Sequence, residues 1–282
     1  MIARTVLTVA ALTLQEAVRR RVLRSIVVMT VVLLALSAWG FYRLDVEFGT
    51  LTGGEARLAA STVLNLVMFG LSLIAALGTA FLAGPTMAGE IESGIALAIM
   101  TRPIRRSAVL LGKWLGLVVF GSGFVIVAGL GQLIIVRATV GYWPPQPATG
   151  LALLAAQTTV LLTLGLLLAT AISPMASGIV AVGLFGATWI AGVVGVVGEA
   201  LGNECVARVG TVSRMLLPTD GLWRGAMHAF QDPAALAGFG AEFAGFPFLS
   251  EAPLTAAYLA WTGVWIALFL ALTAVAFRRR DL

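Results

Sequence analysis

The chain contains the stretch APLTAAYLAWTGVWIALFLALTAVAF (residues 252–277), in which none of the 26 side chains is charged. An α-helix rises about 1.5 Å per residue, so about 20 consecutive apolar residues are enough to cross the hydrocarbon core of a bilayer. Three arginines, Arg278 to Arg280, follow the stretch where lipid headgroups would lie. The stretch therefore predicts a membrane-spanning helix.

Five further runs have the same character, and no polar stretch between them is long enough for a separate soluble domain. Of the 282 residues, 60% are hydrophobic and 11% are charged, whereas soluble domains carry roughly 25% charged residues. The sequence therefore predicts a single all-α membrane domain, residues 1–282. Its six transmembrane helices are expected at about 25–42, 61–84, 112–136, 150–172, 175–198 and 253–277.

The distribution of lysine and arginine predicts the orientation. Six spans place both termini on the same side of the membrane, and twelve of the 18 basic residues fall on that side. The positive-inside rule makes it cytoplasmic, so the loop 85–108 is predicted to be cytoplasmic and the loop 199–252 external. Because the arginines cluster at the ends of apolar runs, their charge indicates topology rather than binding to nucleic acid. The six basic residues predicted to be external are Arg43, Arg57, Arg137, Arg208, Arg214 and Arg224.

The residues before the first span are predicted to form a weakly amphipathic helix at the cytoplasmic interface. The arginines from Arg19 to Arg24 would then lie at the headgroups. Polar residues share one face and small or apolar residues share the other. The first face consists of Arg4, Thr8, Gln15 and Arg19, and the second consists of Val6, Ala10, Thr13 and Ala17.

The external loop contains one further predicted helix. Thr219 and Asp220 are suitable N-cap residues for a short helix over residues 221–230. Apolar residues in and before it predict that the segment lies on the membrane edge or dips into it. These are Leu216, Leu217, Leu222, Trp223 and Phe230. The sequence leaves open whether the loop re-enters the membrane or binds a partner.

The polar and small residues inside the spans are expected to serve helix packing. Asn65, Gln132 and Gln157 are predicted to be interhelical hydrogen-bond partners rather than a substrate path. The glycines of the fifth span, together with Gly112 and Gly116, would let helices approach closely. Packing within the chain and packing between subunits both remain open for them.

The cytoplasmic loop reads GPTMAGEIESGIALAIMTRPIRR (residues 84–106). Thr86 can cap a helix, and Pro103 should end that helix near Thr101. The helix would be apolar on more than one side, because Leu97 and Met100 lie off the stripe that its other apolar residues form. One side can rest on the chain's own spans. The other side either does the same or contacts a partner.

Residues that would support catalysis or ion coupling are few. His228 and Cys205 are single residues without a metal-ligand pattern. Gly112-Lys113 does not begin a phosphate-binding loop, because Ser107 and Trp114 occupy positions that require glycine and serine or threonine. No ionisable residue lies at the centre of a span, so a proton relay has no obvious carrier. We expect no enzymatic activity and no cofactor on this chain, and an energy source elsewhere.

The cytoplasmic loop also resembles that of a known family, the type-2 ABC exporter permeases. The resemblance is carried by Glu90-x-Glu92-x-Gly94, by the segment from Thr101 to Arg106 with its Pro103, and by the segment from Leu110 to Gly116 with its Gly-Lys pair. The subgroup that serves nitrous oxide reductase maturation is the most similar. The interfacial helix, the Leu217–Asp220 segment and the Arg-Arg-Arg-Asp281 ending agree with it. Ile95 departs from the threonine that the family often has.

The resemblance implies a function and a set of partners. Two permease copies, identical or paired, would form a twelve-helix dimer in a bacterial or archaeal plasma membrane. Two copies of a separate ATPase, carrying ATP and Mg, would dock on the interfacial helix and the cytoplasmic loop and drive export. The implied coupling residues are Glu16, Arg19, Arg20, Glu90, Glu92, Gly94, Pro103, Arg105, Arg106 and Lys113. The alternatives are a secondary carrier or channel without an ATPase, and a membrane enzyme acting on lipid headgroups.

Overall fold

The computed structural model describes residues 2–48, 54–92, 106–232, 246–250 and 252–279. All regular structure in these ranges is α-helical. The helices are α1 (Ile2–Arg19), α2 (Arg21–Phe48), α3 (Gly54–Glu92), α4 (Arg106–Val140), α5 (Pro147–Ala169), α6 (Pro174–Ala200), α7 (Glu204–Leu216), α8 (Thr219–Phe230) and α9 (Ala256–Arg279).

Six of these helices, α2 to α6 and α9, are long and apolar enough to cross a membrane, which confirms the predicted all-α fold with six spans. α5 and α3 are the most buried spans, and α2 and α9 are the least buried. α5 and α3 thus occupy the centre of the bundle, and α2 and α9 lie at its periphery. The single-domain division and the orientation of the termini stay predictions. We refer below to the predicted cytoplasmic end and the predicted external end of the bundle.

The predicted capping role of Thr86 is wrong. α3 continues through Pro85 to Glu92, and the Thr86 hydroxyl donates to the carbonyl of Leu82 in the preceding turn. At 39 residues, α3 is about 58 Å long, roughly twice the thickness of the hydrocarbon core. A Gly-Pro pair such as Gly84 and Pro85 is typical of a helix end in water, but proline is tolerated inside membrane helices. The first part of the predicted loop 85–108 is therefore the projecting end of α3.

The hairpin formed by α7 and α8 re-enters the bundle from the predicted external end. α7 runs back along α6, where Gly195 and Gly210 bring the two helix backbones into direct contact. At the tip, the hydroxyls of Thr219 and Thr188 lie 3.1 Å apart, and Gln157 Nε2 donates to Thr219 O at 3.3 Å. Thr188 lies about 18 Å below the end of α6, and Gln157 about 15 Å below the start of α5. The tip therefore reaches about half-way through a bilayer of roughly 30 Å.

α8 begins at Thr219, two residues before the predicted start, and of the two predicted placements its burial fits the one that dips inward. Leu222, Trp223 and Phe230 are fully buried among the spans. The helix rises back to the predicted external end, where the Phe230 ring contacts Gly150 at the start of α5. Four of the five apolar residues that suggested a membrane surface thus face the protein's own interior, whereas Leu216 is 70% exposed.

Three aromatic side chains of α9 complete the end of α7. Tyr258 donates to Arg214 O at 3.0 Å, Trp261 to Met215 O at 3.2 Å and Trp265 to Leu216 O at 2.8 Å. The last carbonyls of a helix have no donor within the helix, and Pro218 lacks the N–H that Arg214 O would otherwise accept. An unpaired carbonyl at this depth would be costly because lipid offers no donor. Tyr258, Trp261 and Trp265 lie on one face of α9. Their hydrogen bonds to three successive carbonyls at the end of α7 therefore hold α9 against the hairpin.

The three predicted polar partners all form the hydrogen bonds expected of them, although not always with a helix. Gln132 Nε2 donates to Ser37 Oγ of α2 at 2.6 Å. Gln157 joins α3 to the hairpin, because Ser72 Oγ donates to its Oε1 at 3.0 Å. Asn65 Nδ2 donates to the carbonyl of Phe248 in the segment 246–250, at 3.0 Å.

Candidate coupling site

α1 packs tightly against the first turns of α4 through two glycines. A Cβ atom on Gly112 would lie 2.7 Å from Val9 Cβ, and one on Gly116 would lie 2.6 Å from Ala10 O. Distances below 3.0 Å are not tolerated without movement, so only glycine permits this approach. Gly112-x-x-x-Gly116 therefore serves packing within the chain.

The two predicted faces of α1 are also found. Ala10, Thr13 and Ala17 are buried, whereas Arg4 and Arg19 are exposed. Leu7 and Leu12 are about 60% exposed as well, so the outer surface of α1 carries apolar as well as charged groups. This composition is typical of a helix at a membrane surface or against a partner.

Lys113 connects α4 to the projecting end of α3. Its side chain is buried, and its Nζ donates to the carbonyl of Thr86 at 2.7 Å. A buried ammonium group requires such acceptors, because its charge is otherwise costly away from water. Lys113 therefore acts in this structure by holding α3 and α4 together, and not by presenting its charge at the surface.

The junction of α1 and α2 carries the remaining predicted residues of this region. Glu16 and Arg20 form an ion pair across one helical turn, and Arg20 lies at the break between the two helices. Arg19 is exposed beside it. These charges lie on α1 or directly after it. Because α1 packs against α4, they belong to the same unit as Lys113.

The structure places only some of the predicted loop residues. Glu90 and Glu92 belong to the last turn of α3, and Arg106 begins α4. Gly94, Pro103 and Arg105 lie outside the described residues. The described part of the candidate site thus consists of α1, the projecting end of α3 and the start of α4, at the predicted cytoplasmic end.

One charged cluster was not expected from the sequence. Asp220 is buried at the tip of the hairpin, and its Oδ2 accepts from Arg214 Nε at 3.1 Å and from Arg224 Nε at 2.9 Å. Gly192 leaves the space that its carboxylate occupies. The signal that could have revealed it is the pair Asp220 and Arg224, one helical turn apart in an apolar segment.

The described residues offer no group of three or more His, Cys, Asp or Glu side chains that could hold a metal ion. His228 is half-buried, with Nδ1 3.1 Å from the carbonyl of Ser250, so its ring links α8 to the segment 246–250. Cys205 is exposed at the start of α7. The contact of His228 fits a structural role.

A family model described as an ABC-2 family transporter protein matches residues 7–282. The chain belongs to the ABC-2 transporter family. Its six spans and its family membership make it a multi-pass membrane permease, the membrane component of an ABC transporter. Such a component is generally not catalytic itself, and membership implies a transporter system with an ATPase partner. No curated protein matches the chain.

The permease thus has its coupling candidates and its re-entrant hairpin at opposite ends of one bundle. α3 spans the distance between them. Its final turns carry Glu90 and Glu92, and its middle contacts the hairpin directly through Phe69 and indirectly through Ser72, which donates to Gln157 of α5.

Proposed function

We propose that this permease is driven by a separate ATPase that docks at the predicted cytoplasmic end, and that it moves its substrate outward. The observation that supports the proposal is the unit formed by α1, the end of α3 and the start of α4. Two glycine contacts and the buried Lys113 join these three elements. A partner that pushes on any of them therefore moves all three.

The unit has the properties that a docking surface for such a partner needs. Glu90, Glu92 and Arg106 belong to its helices, and Glu16, Arg19 and Arg20 lie on α1 or directly after it. With Gly94, Pro103 and Arg105 of the intervening segment, they would form the contact. ATP and Mg would be bound by two copies of the ATPase, and this chain would bind no cofactor.

Movement would pass from this unit to the hairpin through α3. The Phe69 ring of α3 lies 5.4 Å from the Trp223 ring of α8 and 4.7 Å from the Trp189 ring of α6. Packed aromatic rings resist compression, so a rigid shift of α3 is transmitted rather than absorbed. The hairpin and α6 would then rearrange at the predicted external end.

A second permease copy, identical or related, would complete the path. α6 leaves Ile179, Leu184 and Ile190 exposed, and no atom of the described residues lies within 4 Å of a Cβ placed on Gly183 or Gly186. Glycine permits close helix approach in lipid, so this face suits contact with another copy. The substrate, export from a bacterial or archaeal plasma membrane and similarity to the nitrous oxide reductase maturation subgroup remain part of the proposal.

The proposal is tested by purifying the tagged permease from its native membranes in mild detergent. We expect an ATPase with a phosphate-binding loop to be retained. Glu92→Ala and Arg106→Ala should lower its retention or its stimulated hydrolysis while leaving the permease folded. Glu204→Ala is the matched control, because Glu204 forms an exposed ion pair with Arg208 at the opposite end. Loss of ATPase binding in the control alone, or no ATPase in any sample, would contradict the proposal.

A secondary carrier or channel is the second candidate function. The buried Asp220 favours it, because a carboxylate at membrane depth is a usual ion site. However, two arginines already neutralise this carboxylate. Substrate movement by the purified permease alone in liposomes, driven by an ion gradient without ATP, would establish this candidate.

A further inference from the structure

A cavity of about 540 Å³ lies between the re-entrant hairpin, the end of α6 and the start of α9. We call it the arginine cavity. Its volume falls within the range of small-molecule sites. Arg214 and Arg224 line it together with Tyr258, and most of its other walls are apolar. The apolar walls include Val196, Phe246, Leu249, Pro253 and Leu254.

Arg214 and Arg224 bind the same carboxylate oxygen of Asp220, so their two positive charges exceed its single negative charge. Each uses Nε to bind Asp220 Oδ2. Their terminal amino groups make no hydrogen bond to another described residue. Glu199 also lines the cavity, but it lies on the exposed last turn of α6 and pairs with neither arginine. At the buried cluster two arginines face one aspartate, which leaves a local charge of about +1, and the exposed Glu199 carboxylate brings the sum of the four groups to zero.

The burial of these side chains strengthens the electrostatic attraction of the two arginines for an anion. The side chains of Arg214 and Arg224 are only 22% and 12% exposed, and the Asp220 side chain is fully buried. Water and salt screen charges poorly at such places. Guanidinium groups bind phosphate and carboxylate through paired N–H donors, and both arginines are held in position by their Nε contacts.

We propose that the arginine cavity binds the phosphate group of an anionic lipid. The phosphate would accept from the terminal amino groups of Arg214 and Arg224, and the glycerol and first acyl carbons would cover the apolar walls. A free phosphate could use the same arginines. It would leave Phe246, Leu249 and Leu254 facing water, and so the structure favours an amphipathic ligand.

Two single variants test the site without leaving a buried charge alone. In Arg224→Gln, Asp220 keeps Arg214 as its partner, and in Arg214→Gln it keeps Arg224. Each removes the surplus charge. The matched control is Arg208→Gln, which lies on the same helix as Arg214 and pairs with Glu204 at the exposed surface. A third variant, Ala200→Trp, places a bulky ring in the lining of the cavity at a residue that takes no part in the ion pairs.

Lipid binding is measured on the full-length permease, purified in detergent, by native mass spectrometry and by the lipid-dependent shift in Tm. The probes are phosphatidylglycerol, phosphatidylcholine with the same acyl chains, and inorganic phosphate. We expect phosphatidylglycerol to bind the native protein and the Arg208→Gln control alike. Its Kd should rise roughly tenfold or more in the two cavity variants, since each loses charge-assisted hydrogen bonds. Ala200→Trp should also weaken binding.

Three results would overturn the proposal. The first is equal binding of phosphatidylglycerol and phosphatidylcholine. The second is unchanged binding in all cavity variants that elute as folded protein. The third is competition by inorganic phosphate at the same concentration as the lipid, which would assign the site to a free anion. If the arginine variants fail to fold, Ala200→Trp and the selectivity of the native protein for the anionic lipid still decide the matter.

Discussion

The contact between α1 and α4 can be tested with a pair of glycines on the same helix. A Cβ atom on Gly116 would lie 2.6 Å from Ala10 O and 2.9 Å from Thr13 Cβ, whereas one on Gly123 would meet no atom of the described residues within 4 Å. Both positions are inside α4. The gain in helix propensity on replacing glycine by alanine is about 1 kcal/mol at either position, so it cancels in the comparison.

The difference between the two variants then reports the packing of α1. Overpacking at a well-packed contact costs about 1–3 kcal/mol. Gly116→Ala should therefore be less stable than Gly123→Ala by that amount, and the gap in Tm should be about 2–12 °C, taking about 2–4 °C per kcal/mol for a chain of this size. Thermal unfolding in detergent, followed by size-exclusion chromatography, measures it.

The same pair connects packing to coupling. If α1 belongs to the unit on which an ATPase acts, Gly116→Ala should lower permease-stimulated ATP hydrolysis and Gly123→Ala should not. Equal Tm values for the two variants would refute the assignment of Gly116 to the α1 contact. A lower Tm with unchanged stimulation would show that α1 is structural but takes no part in coupling.

Three further predictions concern single side chains. Tyr258→Phe leaves Arg214 O without its hydroxyl donor and should lower the free energy of unfolding by about 1–2 kcal/mol, measured by thermal unfolding. Tyr42→Phe, at a residue that is 59% exposed, should leave it unchanged. Equal effects of the two variants would argue against the role of Tyr258. Lys113→Met removes the ammonium that donates to Thr86 O, and we expect the ATPase to remain bound but to be stimulated less; undiminished stimulation would contradict a role in transmission. A membrane-impermeant maleimide should label Cys205, the only cysteine, in intact spheroplasts, and a Cys205→Ser protein should stay unlabelled; labelling only after permeabilisation would reverse the predicted orientation.

The number and type of spans follow from the sequence because their signal is local. A run such as 252–277 has to be long enough for the bilayer, and its lack of charge reports the solvent directly. The buried face of α1 was also readable, since Ala10, Thr13 and Ala17 repeat with helical spacing. Each of these features is contained in a single helix.

The hairpin could not be read in the same way. The sequence of α7 contains Glu204, Arg208 and Arg214 among its apolar residues, which is typical of an external loop exposed to water. Its depth depends on contacts with Thr188 and Gln157, which are distant in sequence. The buried charge of Asp220 is tolerated there only because it forms ion pairs with two arginines. One of them lies on α7, the other helix of the hairpin.

The candidate coupling site was partly predictable. The motif indicated Lys113 and the glycines at 112 and 116, but their physical role is visible only in the tertiary contacts with Thr86 and α1. Thr86 itself was misjudged because Gly84 and Pro85 favour a helix end in water, whereas a bilayer-length helix can continue through them.

The most direct test of the whole account is ATP hydrolysis and transport in liposomes containing the purified permease, with and without the ATPase that is retained on it. We predict that the permease alone hydrolyses no ATP and moves no substrate under an ion gradient. We also expect the added permease to raise the hydrolysis rate of the ATPase, and Glu92→Ala to lower this increase. Gradient-driven transport by the permease alone, or an ATPase whose rate is the same with and without it, would contradict the account.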